Sequence, residues 1–134
     1  MASSNGRSGA TASWPRDRKH FTSGPQHLNS AERRAARWYR LRGWRILGAN
    51  VWAGGNEVDL IARRGRELRF VEVKEKTGPA FGEPAEMVGA EKQRRVRRAA
   101  ELWLAGRPDL AELRVAFDVV SVHQGRLRRI PDAF

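Results

Sequence analysis

The chain has 134 residues, contains no cysteine and carries a formal net charge of +11 at pH 7. This length is enough for one domain of ordinary size, and the lack of cysteine excludes disulfides and metal sites built from thiolates. The excess of basic residues favours a polyanionic partner. Nucleic acid is preferred to an anionic membrane, because no basic amphipathic helix with large apolar anchors is present.

The first 28 residues differ in composition from the rest of the chain. They are rich in Ser, Gly and Ala, show no hydrophobic periodicity and include several basic side chains, which is typical of a disordered tail. We therefore expect a disordered basic tail over 1–28 and a single domain over 29–134. The tail lacks the apolar core of a signal peptide and the chain has no membrane-spanning apolar run, so we expect a cytoplasmic protein without a membrane partner.

The first ordered element is predicted to be a helix that begins at Asn29. The Asn29 side chain can accept a hydrogen bond from the backbone of Glu32, and the Glu32 side chain can accept one in return, as in a capping box. Four apolar residues follow at helical spacing: Ala31, Ala35, Trp38 and Leu41. Gly43 is expected to end this helix.

Three strands are predicted after the helix, at 44–52, 57–62 and 68–74. The second strand alternates apolar and polar residues, which places Val58 and Leu60 on one face. Short polar and glycine-containing turns separate the three strands, so we expect neighbouring strands to pair as hairpins.

The C-terminal half is predicted to contain one helix and two strands. A loop over 76–89 precedes a helix over 90–106, whose apolar stripe is formed by Val96, Ala99 or Ala100, and Trp103. A strand over 113–123 and a short strand near 126–131 follow. Asp118, in the first of these strands, is expected to pair with an arginine at the edge of the sheet. The order α-β-β-β-α-β-β predicts an α/β fold with a mixed central sheet.

The strand at 68–74 carries two charged residues among apolar ones. Glu72 and Lys74 are two residues apart, so they point to the same face of the strand, and a buried charge is costly unless it is paired or bound to a metal. If residues 65–66 form the turn of the preceding hairpin, Asp59 lies opposite Glu72. If residues 64–65 form it, Asp59 lies diagonal to Glu72. Both registers keep the two carboxylates on one face.

Two carboxylates this close repel each other unless a cation or a shared proton lies between them. Mg²⁺ prefers oxygen ligands of this kind, and Lys74 is placed to act on a metal-bound water or on a phosphate. The alternative is a surface hairpin in which Lys74 pairs with Asp59 or Glu57, an arrangement that the spacing alone favours. Glu57 is accordingly either a further metal ligand or a partner of Lys74.

The same residues carry a resemblance to a known group of proteins. Asp59 followed by Glu72-Val-Lys74 resembles the D…(D/E)xK signature of the PD-(D/E)xK nuclease superfamily. Longer segments are similar to the YraN-like family of uncharacterised bacterial proteins, which is thought to be related to archaeal Holliday-junction resolvases. These segments are AERRAARWYRLRGWRILGANV, NEVDLIARRGRELRFVEVK, FGEPAEMVGAEKQRRVRRAAELWL and FDVVSV, within residues 28–123.

The resemblance implies a restriction-endonuclease-like core, in which helices flank the mixed sheet. It also implies catalytic roles for Asp59, Glu72 and Lys74, with Mg²⁺ or Mn²⁺ as the cofactor. Glu32 would be a further catalytic acid, carried on the first helix, that helps to hold the metal or a water. Glu32 as a simple capping residue is the alternative.

A metal-dependent endonuclease that hydrolyses DNA, with branched DNA as one candidate substrate, is the function that the sequence favours. Basic residues on and before the second helix are predicted to bind phosphates, unless they only form a solvated face: Lys76, Lys92, Arg94, Arg95 and Arg98. A resolvase would need two active sites and hence a homodimer. The alternatives are a non-catalytic nucleic-acid-binding module with a vestigial site and an adaptor that binds other proteins.

Overall fold

The computed structural model of the protein describes residues 28–76 and 88–134, so predictions that concern 1–27 and 77–87 lie outside the described residues. The described part contains helix α1 (Ser30–Leu41), strands β1 (Arg45–Ala53), β2 (Asn56–Arg64) and β3 (Glu67–Lys76), helix α2 (Ala90–Ala105), a 3₁₀ turn (Pro108–Leu110), and strands β4 (Arg114–His123) and β5 (Arg126–Ile130). The predicted order of helices and strands is confirmed.

The five strands form one mixed sheet in the order β1-β2-β3-β4-β5. Strands β3 and β4 are parallel, and the other neighbouring pairs are antiparallel. Parallel neighbours cannot be joined by a tight turn, and α2 lies in the connection between β3 and β4. Helix α1 packs on one face of the sheet and α2 on the other, so the predicted mixed sheet flanked by helices is confirmed.

Both helices bury a stripe of small or aromatic residues against the sheet. The predicted stripe of α2 is confirmed, since Val96, Ala99, Ala100 and Trp103 are all buried. On α1 the buried residues are Ala31, Ala35, Ala36 and Tyr39. Leu41 was predicted to be part of this stripe, and that prediction is wrong, because Leu41 is 75% exposed. At about 100° per residue it lies about 160° around the helix from Tyr39.

A buried carboxylate ties α1 to the edge of the sheet. Asp118 on β4 accepts hydrogen bonds from the Tyr39 hydroxyl at 2.6 Å and from Arg129 Nη2 on the edge strand β5 at 2.8 Å. The predicted pairing of Asp118 with an edge arginine is therefore confirmed. Burial and the adjacent Asp118 charge both raise the pKa of Tyr39, so the hydroxyl remains a hydrogen-bond donor.

The hairpin between β2 and β3 adopts the first of the two predicted registers. Arg64 pairs with Glu67, which leaves residues 65–66 as the two-residue turn. Gly65 has a φ of +60°, in the left-handed region that glycine adopts without a steric cost. The register runs from this turn to the pair of Leu60 and Val71. The next residues along the two strands are Asp59 and Glu72.

The regular alternation of β2 breaks beside Asp59, and one prediction fails there. Leu60 packs in the cluster under α1, whereas Val58 packs in the cluster under α2. The prediction that they share a face is therefore wrong. Asn50, on β1, lies opposite Asp59 and has a φ of +50°, so the two strands depart from regular alternation at this point.

Candidate active site

Asp59 and Glu72 lie side by side where the backbone pairing of β2 and β3 stops. The backbone pairing ends at Leu60 and Val71. Beyond this pair, a side chain of β2 bonds to the backbone of β3, because Asp59 Oδ2 accepts a hydrogen bond from the Val73 N–H at 2.8 Å. Asp59 is 8% exposed and Glu72 is 3% exposed. The hairpin is therefore not a solvated surface at this point, and two carboxyl groups are buried together.

The pKa of Asp59 is raised to about 8. Burial is the largest cause, because it disfavours the charged form, and the charge of Glu72 is the second. The hydrogen bond from Val73 lowers the pKa, but it does not compensate for these effects. The charges of Glu32 and Glu57 add to the rise, so four acidic residues act on one another at this place.

Two lysines, one from the strand and one from the helix, accompany Glu72. Lys92 Nζ lies 3.4 Å from Glu72 Oε2, and Lys74 Nζ lies 3.7 Å from the same oxygen. Burial still raises the pKa of Glu72, although both lysines oppose this rise. The other oxygen, Glu72 Oε1, is buried without a hydrogen-bond partner. A buried acceptor left unpaired is costly, so this oxygen is available to a further hydrogen-bond donor or a cation.

Glu32 has the structural role that was proposed as its alternative. The Asn29 N–H donates to Glu32 Oε1 at 3.1 Å, and the Glu32 N–H donates to Asn29 Oδ1 at 2.8 Å. The predicted capping box is therefore confirmed. Its carboxylate also raises the pKa values of Glu57 and Asp59, which places the first turn of α1 beside the buried acids. A role for Glu32 in holding a metal stays a prediction.

The alternative of a hairpin with cross-strand ion pairs is wrong for Lys74. The ion-pair partner of Lys74 is Glu72, two residues away on the same strand, rather than Asp59 or Glu57 on β2. The pKa of Glu57 is raised by burial and by the charges of Glu32 and Glu72, and it is lowered by Lys92. Glu57 is thus part of the acidic group and not a partner of Lys74.

The predicted phosphate-binding residues differ in the contacts that they make. Lys92 belongs to the site, because its amine contacts Glu72. Arg94 and Arg95 both pair with Glu91, at 2.6 Å and 3.9 Å. The remaining two predicted residues are exposed Arg98 on α2 and Lys76, which is half-buried at the end of β3.

Sequence reasoning placed Lys92 on a basic helix face without connecting it to the carboxylates, and it did not identify Asn50. The position of Lys92 depends on how α2 packs across the sheet, which no local pattern encodes. Asn50 carried a weak signal, since asparagine is one of the few residues that adopt the left-handed region. In the described ranges 28–76 and 88–134, no three His, Asp or Glu side chains are arranged as a ready-made metal-binding set.

Comparison with known proteins gives one consistent result. The model of the uncharacterised protein family UPF0102 matches residues 31–122. A UPF0102 protein of Rhizobium etli is 43% identical over 101 residues, which cover 75% of this chain and 81% of the relative. A UPF0102 protein of Paramagnetospirillum magneticum is 43% identical over 109 residues, covering 78% and 83%. One of Syntrophotalea carbinolica is 41% identical over 104 residues, covering 75% and 84%.

Proposed function

Because the chain belongs to the uncharacterised protein family UPF0102, whose match includes every acid of the site, we propose that these acids form the active site of a metal-dependent endonuclease that hydrolyses DNA phosphodiester bonds. The observation that carries the proposal is the pair of buried carboxyl groups, Asp59 and Glu72, with two lysines beside Glu72. Family membership confirms the resemblance to YraN-like proteins. Kinship with PD-(D/E)xK nucleases stays a prediction.

The donor atoms fit Mg²⁺ or Mn²⁺. The buried Glu72 Oε1 lacks a partner, and the raised pKa of Asp59 means that its negative charge is uncompensated in the chain alone. Asp59 and Glu72 would hold the metal, and water and substrate oxygens would complete its coordination, as is usual for Mg²⁺ in sites with one or two carboxylates. Such an ion supplies Lewis-acid stabilisation of the phosphate and lowers the pKa of a bound water.

The residues of the chain itself orient these groups and provide positive charge. The hydrogen bond from the Val73 N–H fixes the Asp59 carboxyl. Lys74 and Lys92 are each 37% exposed at their side chains, so their amines are accessible to a phosphate at the mouth of the site. There they would bind a substrate phosphate and stabilise the negative charge that develops during attack by water.

The second candidate function is a nucleic-acid-binding module without catalysis. The observation in its favour is that Lys74 and Lys92 already contact Glu72 Oε2, so this carboxylate is partly neutralised without a metal. A protein with such a vestigial site would still bind nucleic acid through its positive charge but would not hydrolyse it. It predicts salt-sensitive binding of nucleic acid that does not depend on Asp59.

Cleavage of labelled substrates distinguishes the two candidates. The substrates are a four-way junction, a flap, a duplex and single strands of DNA and RNA, each incubated with Mg²⁺, Mn²⁺ or EDTA. We expect metal-dependent cutting that is lost in Asp59→Asn, Glu72→Gln and Lys74→Met. The matched control is Glu75→Gln, which changes an exposed carboxylate on the same strand and should cut like the wild type.

Two results would contradict the endonuclease. Cutting that persists in all three site variants would show that another protein or another site is responsible. Binding without cutting, unchanged in Asp59→Asn, would favour the non-catalytic module. Metal binding can be read separately by calorimetric titration of Mn²⁺, which should bind the wild type and Glu75→Gln but not Glu72→Gln.

A further inference from the structure

Helix α1 carries a row of arginines on the side that faces away from the sheet. Arg33, Arg37 and Arg40 follow at helical spacing, and Arg34 lies beside them; we call these four residues the α1 arginine face. All four are exposed, whereas the opposite side of the helix is buried on the core. None of the four was identified as a binding residue from the sequence, and the candidate active site does not use them.

These arginines are not neutralised within the part of the chain that the structure describes. There, none of the four forms an ion pair with an acidic side chain, and Arg33 donates a hydrogen bond to the Leu28 carbonyl. Like charges three or four residues apart destabilise a helix. Glu32, the one acid on α1, is held by the backbone of Asn29. These arginines destabilise the helix by mutual repulsion, and their positive charge is suited to binding an anionic ligand.

The basic residues of α2 differ from those of α1. Arg94 and Arg95 share Glu91 as an ion-pair partner, and Lys92 contacts Glu72 in the site. Arg97 lies over the ring of Phe117, 5.0 Å from its centroid. Most of the basic side chains of α2 therefore already contact other groups of the protein, although the basic residues of α2 were the ones predicted from the sequence to bind phosphates.

The α1 arginine face begins beside the candidate active site and runs away from it. Arg33 lies two residues after Ala31, which packs in the same buried cluster as Leu60 and Val71, the strand residues next to the two buried acids. At a rise of about 1.5 Å per residue, the distance from Arg33 to Arg40 along the helix is about 10 Å. That length corresponds to about three nucleotides of one strand at about 3.4 Å each.

We propose that the α1 arginine face binds the phosphate backbone of the nucleic-acid strand that enters the candidate active site. This inference rests on the proposed function, because it names the surface that holds the same substrate. An anionic membrane fits less well, since a membrane-bound helix inserts large apolar side chains. Within α1, all of which is described, Leu41 is the one large apolar side chain that is exposed.

Two matched variants of the full chain test this surface. The first, Arg34→Gln with Arg37→Gln and Arg40→Gln, removes three charges from α1 and leaves Arg33 with its backbone contact. The second, Arg94→Gln with Arg95→Gln and Arg98→Gln, removes three charges from α2. Glutamine has a helix propensity close to that of arginine, so both variants should fold, and thermal melting checks this. Binding of a labelled duplex and a single strand is measured by anisotropy in EDTA at several salt concentrations.

The α1 variant is expected to lose about 10- to 100-fold in affinity at about 100 mM salt. The slope of log affinity against log salt should fall by about 2 to 3, because each phosphate contact contributes about 0.9 for a duplex and about 0.7 for a single strand. The α2 variant is expected to lose less than about threefold. An α2 variant that loses more than the α1 variant would overturn the assignment, as would an α1 variant that binds like the wild type.

Cleavage and binding assays on the same proteins distinguish a failure of this inference from a failure of the proposed function. If the wild type cuts DNA with Mn²⁺ and the α1 variant binds normally, the surface is wrong and the nuclease stands. If the wild type neither binds nor cuts nucleic acid, both fail. Vesicles that contain phosphatidylserine complete the test, because α1-dependent vesicle binding with unchanged nucleic-acid binding would assign the face to a membrane.

Discussion

Replacing Asp59 with asparagine is expected to make the metal-free protein more stable at alkaline pH. The amide oxygen of the new side chain could still accept the hydrogen bond that Asp59 Oδ2 accepts from the Val73 N–H. The variant removes the negative charge that burial and Glu72 disfavour. The substitution therefore keeps the local hydrogen bond and removes an electrostatic penalty, which is the reverse of the usual effect of a buried substitution.

The size of this effect follows from the shift in pKa. The pKa of Asp59 rises from 3.8 to about 8, and one unit corresponds to about 1.4 kcal/mol, which gives an upper limit of about 6 kcal/mol above pH 8. Glu72 shares the titration and water reaches the charged form, so the realised penalty is smaller. We expect Asp59→Asn to raise the free energy of unfolding by about 2 kcal/mol, or the melting temperature by about 8 °C.

The sign and the pH range are fixed by the same shift. Between about pH 4 and pH 8 the folded protein binds a proton at Asp59 that the unfolded chain has released, so the stability of the wild type falls as the pH rises. The variant lacks this group and loses less stability over the same range. The advantage of Asp59→Asn should be close to zero at about pH 4 and largest above pH 8.

The assay is thermal unfolding from pH 4 to pH 9 in EDTA, with Glu75→Gln as the control. That control removes the same charge from an exposed position on β3, and its melting temperature should follow the wild type. Equal differences between Asp59→Asn and wild type at both ends of the pH range would refute the raised pKa. In samples without EDTA, Mn²⁺ at 100 times its dissociation constant should stabilise the wild type by about 2.7 kcal/mol and should not stabilise the variant.

Two further predictions concern stability outside the site. Gly54→Ala should lower the free energy of unfolding by about 1 kcal/mol more than Gly55→Ala, because both positions have a positive φ but only at Gly54 would the new Cβ clash with the side chain of Leu102. In a Leu102→Ala background, denaturant unfolding should show no such difference between the two variants. Tyr39→Phe should lower the free energy of unfolding by about 1.5–3 kcal/mol, because it removes the 2.6 Å hydrogen bond to Asp118. An unchanged midpoint would show that the other donors to this carboxylate, which include Arg129 and the Asp132 N–H, suffice without it.

Much of the fold could be predicted because the signals are local. The capping box at the start of α1 depends on two residues three positions apart, and the apolar stripe of α2 is read from helical spacing. The hairpin turn restricted the register to two choices, and both placed Asp59 and Glu72 on one face. The pairing of these two acids therefore followed from the sequence, because a strand alternates and a turn fixes its partner.

The rest depended on contacts between distant segments. The positive φ of Asn50 accompanies the shift of Val58 to the opposite side of the sheet from Leu60, and alternation alone predicts the reverse. Lys92 contacts Glu72 because α2 packs against the sheet, and no local sequence pattern encodes that packing. Which arginines form ion pairs is likewise a property of the packed chain, and for that reason sequence reasoning named basic residues of α2 and none of α1.

The two buried carboxyl groups are not required by the backbone that carries them. Ile61 and Phe70 form a pair two residues along the same two strands, and both are apolar and fully buried. A similar pair in place of Asp59 and Glu72 would extend the core without the cost of burying two acids, one of which leaves an oxygen unpaired. The lysines offset the charge of one acid, and the other is neutral while it holds a proton below about pH 8, so its charged form is compensated only by a cation. A bound cation is the explanation that we propose for these acids, and stabilisation of the wild type by Mn²⁺ above pH 7 is the result on which that explanation depends.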